Sequence, residues 1–138
     1  ENQLWADIRI PEMLATPAAV RYISAEPLLG PVTWDLDICD GCAGPDNPEG
    51  HPPPISWVIV GGESGPGARP CDIAWIRSIV QQCAAAGVAC FVKQLGAKPV
   101  TSYLDGNTRL RLKDRKGSVP SEWPADLRVR QFPEVQRE

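Results

Sequence analysis

The sequence lacks any stretch approaching the roughly twenty consecutive apolar residues that a membrane span requires. Its charged, Trp-containing N-terminus, Glu1 to Trp5, has no apolar h-region of the kind a secretion signal carries. These absences predict a soluble, cytoplasmic chain with no membrane partner. Nucleotide fingerprints are missing as well. Neither G-x-G-x-x-G nor G-x-x-x-x-G-K-[ST] stands where an apolar run meets a helix, so the sequence does not specify a nucleotide's phosphates. The five cysteines are an odd number in a chain without a signal, which argues against a disulfide framework and for reduced thiols or a metal site. There is no internal repeat.

What is present suits one compact domain over residues 1–138, with 43% hydrophobic and 22% charged residues. The net charge of −3 conceals an asymmetry. From Lys93 to Arg130 nine Lys/Arg face four acids, a segment of +5, so the remainder is acidic.

The reading along the chain is α/β. Residues 1–29 predict a helix plus a strand: Asn2 caps Leu4, Trp5 and Ile8 at helical spacing, Pro11 breaks that helix or opens a second short turn, and Val20 to Ala25 forms strand one. Residues 30–54, rich in Asp, Gly, Pro and Cys, predict an irregular insertion. Residues 55–98 predict a strand–helix–strand unit. Ile55–Val60 and Val88–Val92 are continuous apolar runs of the kind covered on both faces, and between them Asp72 caps a helix carrying Ile73, Ile76, Val80 and Cys83 on one stripe and stopping at Gly87. Such a unit places its strands parallel with a right-handed crossover. Residues 99–138 predict a basic hairpin around Asp105-Gly106-Asn107 and an extended tail laid back over the domain.

Side chains at the C-terminal ends of parallel strands face the crevice where α/β proteins bind ligands. The three predicted ends offer Glu26, then Gly61, Gly62, Glu63 and Ser64, then Lys93 and Gln94. Two carboxylates, a hydroxyl, an amine and an amide around glycines that admit a close backbone approach suit a small anionic or amino-acid-like ligand, with Arg69 binding a carboxylate or phosphate. The structural alternative is an ion pair of Glu63 with Lys93 sealing the strand ends. Cys39-Asp40-Gly41-Cys42 has metal-ligand spacing, and His51 and Cys71 would complete a tetrahedral zinc site; the alternative is two reduced thiols on a loop. Cys83 and Cys90 read as small core residues. Arg109, Arg111 and Lys113, alternating with leucines near Trp123, form a candidate nucleic-acid contact, against a solvated hairpin arm.

Several of these segments carry a resemblance: Glu1-Asn2-Gln3, Arg9-Ile10-Pro11, Thr16 to Arg21, Ser24 to Val32, Trp57 to Pro70, Lys93-Gln94, Glu122-Trp123-Pro124 and Leu127 to Arg130. Taken in order, they resemble phage- and prophage-borne proteins of unknown function related to radical-SAM enzymes. The resemblance implies a (β/α) barrel whose strand tops hold an iron–sulfur cluster and S-adenosylmethionine. No Cys-x-x-x-Cys-x-x-Cys occurs in these residues. The expectation is therefore the C-terminal half of that barrel, a partial barrel with an irregular Cys-containing insertion and a hairpin tail. Such a fragment would hold neither cofactor itself and would not be catalytic alone, with Glu26, Glu63, Ser64 and Lys93 as pocket residues. A half barrel leaves open edges at its first and last strands, so a homodimer, the missing N-terminal half or a rearranged tail is expected to cover them.

Overall fold

The computed structural model describes residues 1–34, 36, 55–101 and 108–134. The first helix, α1 (Gln3–Leu14), starts where Asn2 accepts a hydrogen bond from the Trp5 N–H, as its cap position requires. It does not break at Pro11 as the sequence reading expects. Pro11 removes one helical donor, yet the helix runs on because Met13 and Leu14 pack on the core and the last turn closes through Ala15 N–H on the Pro11 carbonyl at 3.0 Å.

Three strands, β1 (Tyr22–Ala25), β2 (Trp57–Gly61) and β4 (Ala89–Gln94), pair in the order β1-β2-β4, all parallel. Between β2 and β4 lies α2 (Ile73–Ala85), capped by Asp72 accepting from Ala74 N–H at 2.8 Å and stopped by Gly87 at φ 68°. The expected strand–helix–strand unit is thus present. Two short strands that the sequence reading does not contain, β3 (Cys71–Asp72) and β5 (Pro99–Val100), form a second parallel pair at the end where β4 empties into its loop. The result is a mixed α/β fold with parallel strands in small sheets. Among the described residues these sheets do not close into a barrel.

The core sits between one face of the three-stranded sheet and the helices. Ile73, Ile76, Ile79 and Cys83 of α2 meet Val58, Val60, Cys90 and Val92. Cys83 and Cys90 are both buried there, as expected of small apolar residues. The opposite face departs from the expectation that both faces are covered. It carries Tyr22, Trp57, Phe91 and Phe132 as one aromatic cluster with ring centroids 5.3–6.1 Å apart, and Tyr22 remains 54% exposed and Phe132 67%.

The tail returns over the domain as predicted. Trp123 and Leu127 are buried, and beyond them the chain runs antiparallel along β4, Val92 N–H donating to the Val129 carbonyl and Gln131 N–H to the Cys90 carbonyl, each at 2.8 Å. One of the two sheet edges is thereby closed. No described strand pairs with the outer edge of β1. The residues flanking the predicted turn pair antiparallel, with Thr101 N–H donating to the Thr108 carbonyl and Leu110 N–H to the Pro99 carbonyl, both at 2.9 Å, while the turn Asp105-Gly106-Asn107 itself lies outside the described residues.

Candidate functional site

The C-terminal ends of β1, β2 and β4 bring the predicted strand-end residues together but pair them differently from the expectation. Lys93 Nζ donates to Glu26 Oε2 at 3.1 Å, spanning β2, whereas Glu63 pairs with Arg69. The Glu63–Lys93 pair is therefore replaced by two others. The cause is local: Gly65 and Gly67 take φ values of 107° and 77°, and this turn folds Arg69 back so that its main-chain N–H and Nε reach Glu63 Oε2 at 2.8 Å and its Nη2 reaches Oε1 at 2.9 Å. These bonds hold the Glu63 carboxyl at about 2, well below its ordinary 4.5.

Packing by itself requires glycine at both positions 61 and 62. A Cβ on Gly61 would lie 2.8 Å from Glu26 Oε1 and 3.1 Å from the Gln94 carbonyl, and one on Gly62 would strike the Leu95 carbonyl. Gln94 is likewise committed, its amide donating to the Gly62 carbonyl at 3.0 Å. Ser64 is exposed on the loop that the Glu63–Arg69 pair closes. One oxygen stands apart: Glu26 Oε1 is buried without a hydrogen-bond partner.

Of the candidate zinc ligands, Cys39, Cys42 and His51 lie outside the described residues. Cys71 sits in β3 with its side chain in the core, and burial together with the Asp72 charge pushes its thiol up to about 12, which makes it a poor thiolate donor. Among the described residues no three His, Cys, Asp or Glu side chains are grouped to hold a metal.

Beside the strand tops lies a cleft of about 580 Å³ that the sequence reading does not contain. The loops after β2 (Gly65, Pro66) and β4 (Gly96 to Pro99) form one wall and the arm from Arg109 to Lys116 the other. Leu95 N–H donating to the Gly117 carbonyl at 2.9 Å latches the two walls. Four cations line it: Lys98, Arg109, Arg115 and Lys116. Among the described lining residues there is one acid, Asp114, which accepts from Ser118 N–H at 2.6 Å and Ser118 Oγ at 2.8 Å, bonds that lower its pKa and keep it ionised. Arg109 is oriented by its Nη2 donating to the Ala97 carbonyl at 3.1 Å. Of the predicted nucleic-acid residues only Arg109 lines this cleft; Arg111 and Lys113 are exposed outside it. The sequence held one pointer to the site, the +5 segment, although no periodic pattern marks residues from 65 to 116 as neighbours.

A family model matches residues 1–126, nearly the whole chain. The chain belongs to DUF5131, a family of proteins of unknown function. No curated protein and no solved structure matches it. What this DUF5131 member does must therefore be argued from its own geometry. No helix among its described residues is long and apolar enough to cross a membrane.

The Glu63–Arg69 pair gives a pH prediction. Because its carboxyl is depressed from 4.5 to about 2, the stability it contributes is complete above 4.5 and is lost as pH falls through about 2. Glu63→Gln is expected to lower the thermal unfolding midpoint near neutrality and to flatten its fall across that window, so that variant and parent converge as pH approaches about 2. An acid dependence identical to the parent's counts against the pair.

Proposed function

We propose that this protein is a binding module for an anionic ligand, held at the strand-top end between the β2 and β4 loops and the basic arm. One observation carries the reading: a cleft of about 580 Å³ whose described lining sets four cations against one carboxylate, Asp114. That volume lies within the roughly 300–1,000 Å³ of small-molecule sites, and an excess of cations in a concave surface focuses potential on an incoming anion. In this reading the Glu63–Arg69 and Glu26–Lys93 pairs frame the site. Glu26 and Lys93 stand outside the cleft's lining, and Lys93 keeps donors for an anion beyond the one given to Glu26.

The fold context proposed with it is a partial (β/α) barrel similar to that of radical-SAM enzymes, carried by a phage or other mobile element and working in the cytoplasm. Parallel strands with α2 on one face and an aromatic face left half open suit such a part-barrel. The described cysteines Cys71, Cys83 and Cys90 are all buried. Zinc remains a proposal for Cys39, Cys42, His51 and Cys71.

The test is calorimetric titration of the whole chain with inorganic pyrophosphate. Binding is expected, weakening as salt rises and dropping at least tenfold in Lys98→Gln, whereas a chain that takes up no heat with pyrophosphate at low salt overturns the reading. The second reading, a nucleic-acid contact through Arg109, Arg111 and Lys113, predicts that neutralising Arg111 and Lys113 matters as much as neutralising Lys98.

The partner proposed is a second copy. Ser56 N–H donates to the Arg21 carbonyl, so alternation leaves the main-chain groups of Tyr22 and Ser24 on the outer edge of β1. Sedimentation equilibrium is expected to show a dimer that Ser24→Pro dissociates. A parent chain monomeric at every concentration removes this proposal.

A further inference from the structure

The cleft's lining is more selective than its charge alone. Among the described residues that line it none is aromatic. Its apolar portion is aliphatic, Pro66 and Pro99 on one wall and Leu110 and Leu112 on the other. Two cations, Arg115 and Lys116, are consecutive on the arm, Lys98 stands on the opposite wall, and Arg109 is oriented by the Ala97 carbonyl. Among the described lining residues these four cations face one carboxylate, Asp114, which accepts from Ser118.

We propose that the cleft takes a phosphoanhydride-bearing small molecule of the nucleoside diphosphate class and reads its phosphates, leaving its base unread. This rests on the anion-binding reading above and adds the ligand's class to it. The argument is one of matching. Four cations are more than a single carboxylate or monophosphate can engage, whereas two linked phosphates present oxygens to both walls at once, and a guanidinium fork suits them bidentately. The aliphatic walls shelter the sugar without distinguishing the base. Tight binding of a nucleic-acid strand draws on stacking aromatics, and the described lining residues contribute none.

The experiment is titration of the full chain with ADP, UDP, AMP and a single-stranded oligonucleotide, beside inorganic pyrophosphate. ADP and UDP are expected to bind within about threefold of each other and AMP at least tenfold more weakly, because the second phosphate engages the opposite wall. Arg115→Gln combined with Lys116→Gln is expected to weaken ADP at least tenfold. Arg111→Gln, an equally exposed cation outside the cleft, should leave it within twofold. Circular dichroism of each variant confirms the fold, and because all three positions are exposed, misfolding does not stand in for lost binding. AMP binding as tight as ADP, a tenfold preference between ADP and UDP, equal losses from Arg111→Gln and the double variant, or oligonucleotide affinity that rises with length and exceeds that of ADP each overturn the proposal. Pyrophosphate binding with no ADP binding overturns this inference alone and leaves the anion-binding reading standing, whereas silence towards every anion removes both.

Discussion

Gly62→Ala is expected to lower the unfolding free energy by about 3 kcal/mol or more, a large share of what a small domain possesses. The added Cβ would strike the Leu95 carbonyl, lie 2.9 Å from its carbon and 3.0 Å from Cys71 Cβ. None of these neighbours is free to retreat. Leu95 is held through its N–H on the Gly117 carbonyl, Gly62 itself donates to the Gln94 carbonyl at 3.1 Å, and Cys71 N–H donates to the Lys98 carbonyl at 3.0 Å. Overpacking of a closed site costs about 1–3 kcal/mol by itself, and here the displacement would also part β2 from β4 and break hydrogen bonds whose groups then lie buried. Urea denaturation checks it. The control is Gly65→Ala, where no heavy atom lies within 4 Å but φ is 107°, so only the backbone penalty of about 1 kcal/mol applies. Equal losses at the two positions would show that the β2–β4 junction is not closed as described.

Trp123→Ala is expected to cost about 3–5 kcal/mol. The indole is 2% exposed and belongs to the core with Leu127, so truncation opens a void that the tail's short 3₁₀ turns, Pro120–Glu122 and Ala125–Leu127, have little structure to fill. The loss propagates. Arg128 donates to the Trp123 carbonyl through Nε at 3.0 Å and Nη2 at 2.8 Å, and the Arg130 guanidinium lies 5.5 Å from the Trp123 ring and 5.0 Å from that of Phe91. Trp123→Phe is expected to lose less than half as much, because the indole Nε1 is buried without a partner and its removal relieves a desolvation cost while most of the ring is kept. Denaturant midpoints order the variants, and amide exchange at Val92 and Gln131 should accelerate in Trp123→Ala as the tail loosens. An alanine variant within 1 kcal/mol of the parent would mean that the tail is not seated by this ring.

Much of this architecture was legible because its signals are local. Asp72 and Gly87 bracket α2 by their own backbone preferences, and the apolar runs before Gly61 and after Gly87 announce parallel strands joined by that helix. The alternation from Leu127 to Arg130 likewise shows in a tail that lies along β4. The partner of Glu63 was not legible. Lys93 on a neighbouring strand and Arg69 six residues on are both within reach in principle, and only the turn through Gly65 and Gly67 decides between them. The burial of Cys71 was hidden for a related reason: β3 and β5 are two residues each, too short to show a period. The aromatic face was hidden because Trp57 and Phe91 look the same in sequence whether a strand is covered on one side or two. The cleft lies furthest from local signals. Its lining comes from Gly65 to Lys116 and exists only because Gly117 docks on Leu95.

The antiparallel return of Val129 to Gln131 along β4 has a consequence for the order in which the chain is made. β4 is complete at Gln94, but the residues that close its edge are translated some thirty-five positions later. At ordinary elongation rates of about 5–20 residues per second, the edge stays uncovered for roughly 2–7 s on every nascent chain. During that interval Phe91 and the β4 main chain are open to pairing with a neighbouring nascent copy, so the yield of folded protein is expected to depend on how fast the ribosome reaches Gln131.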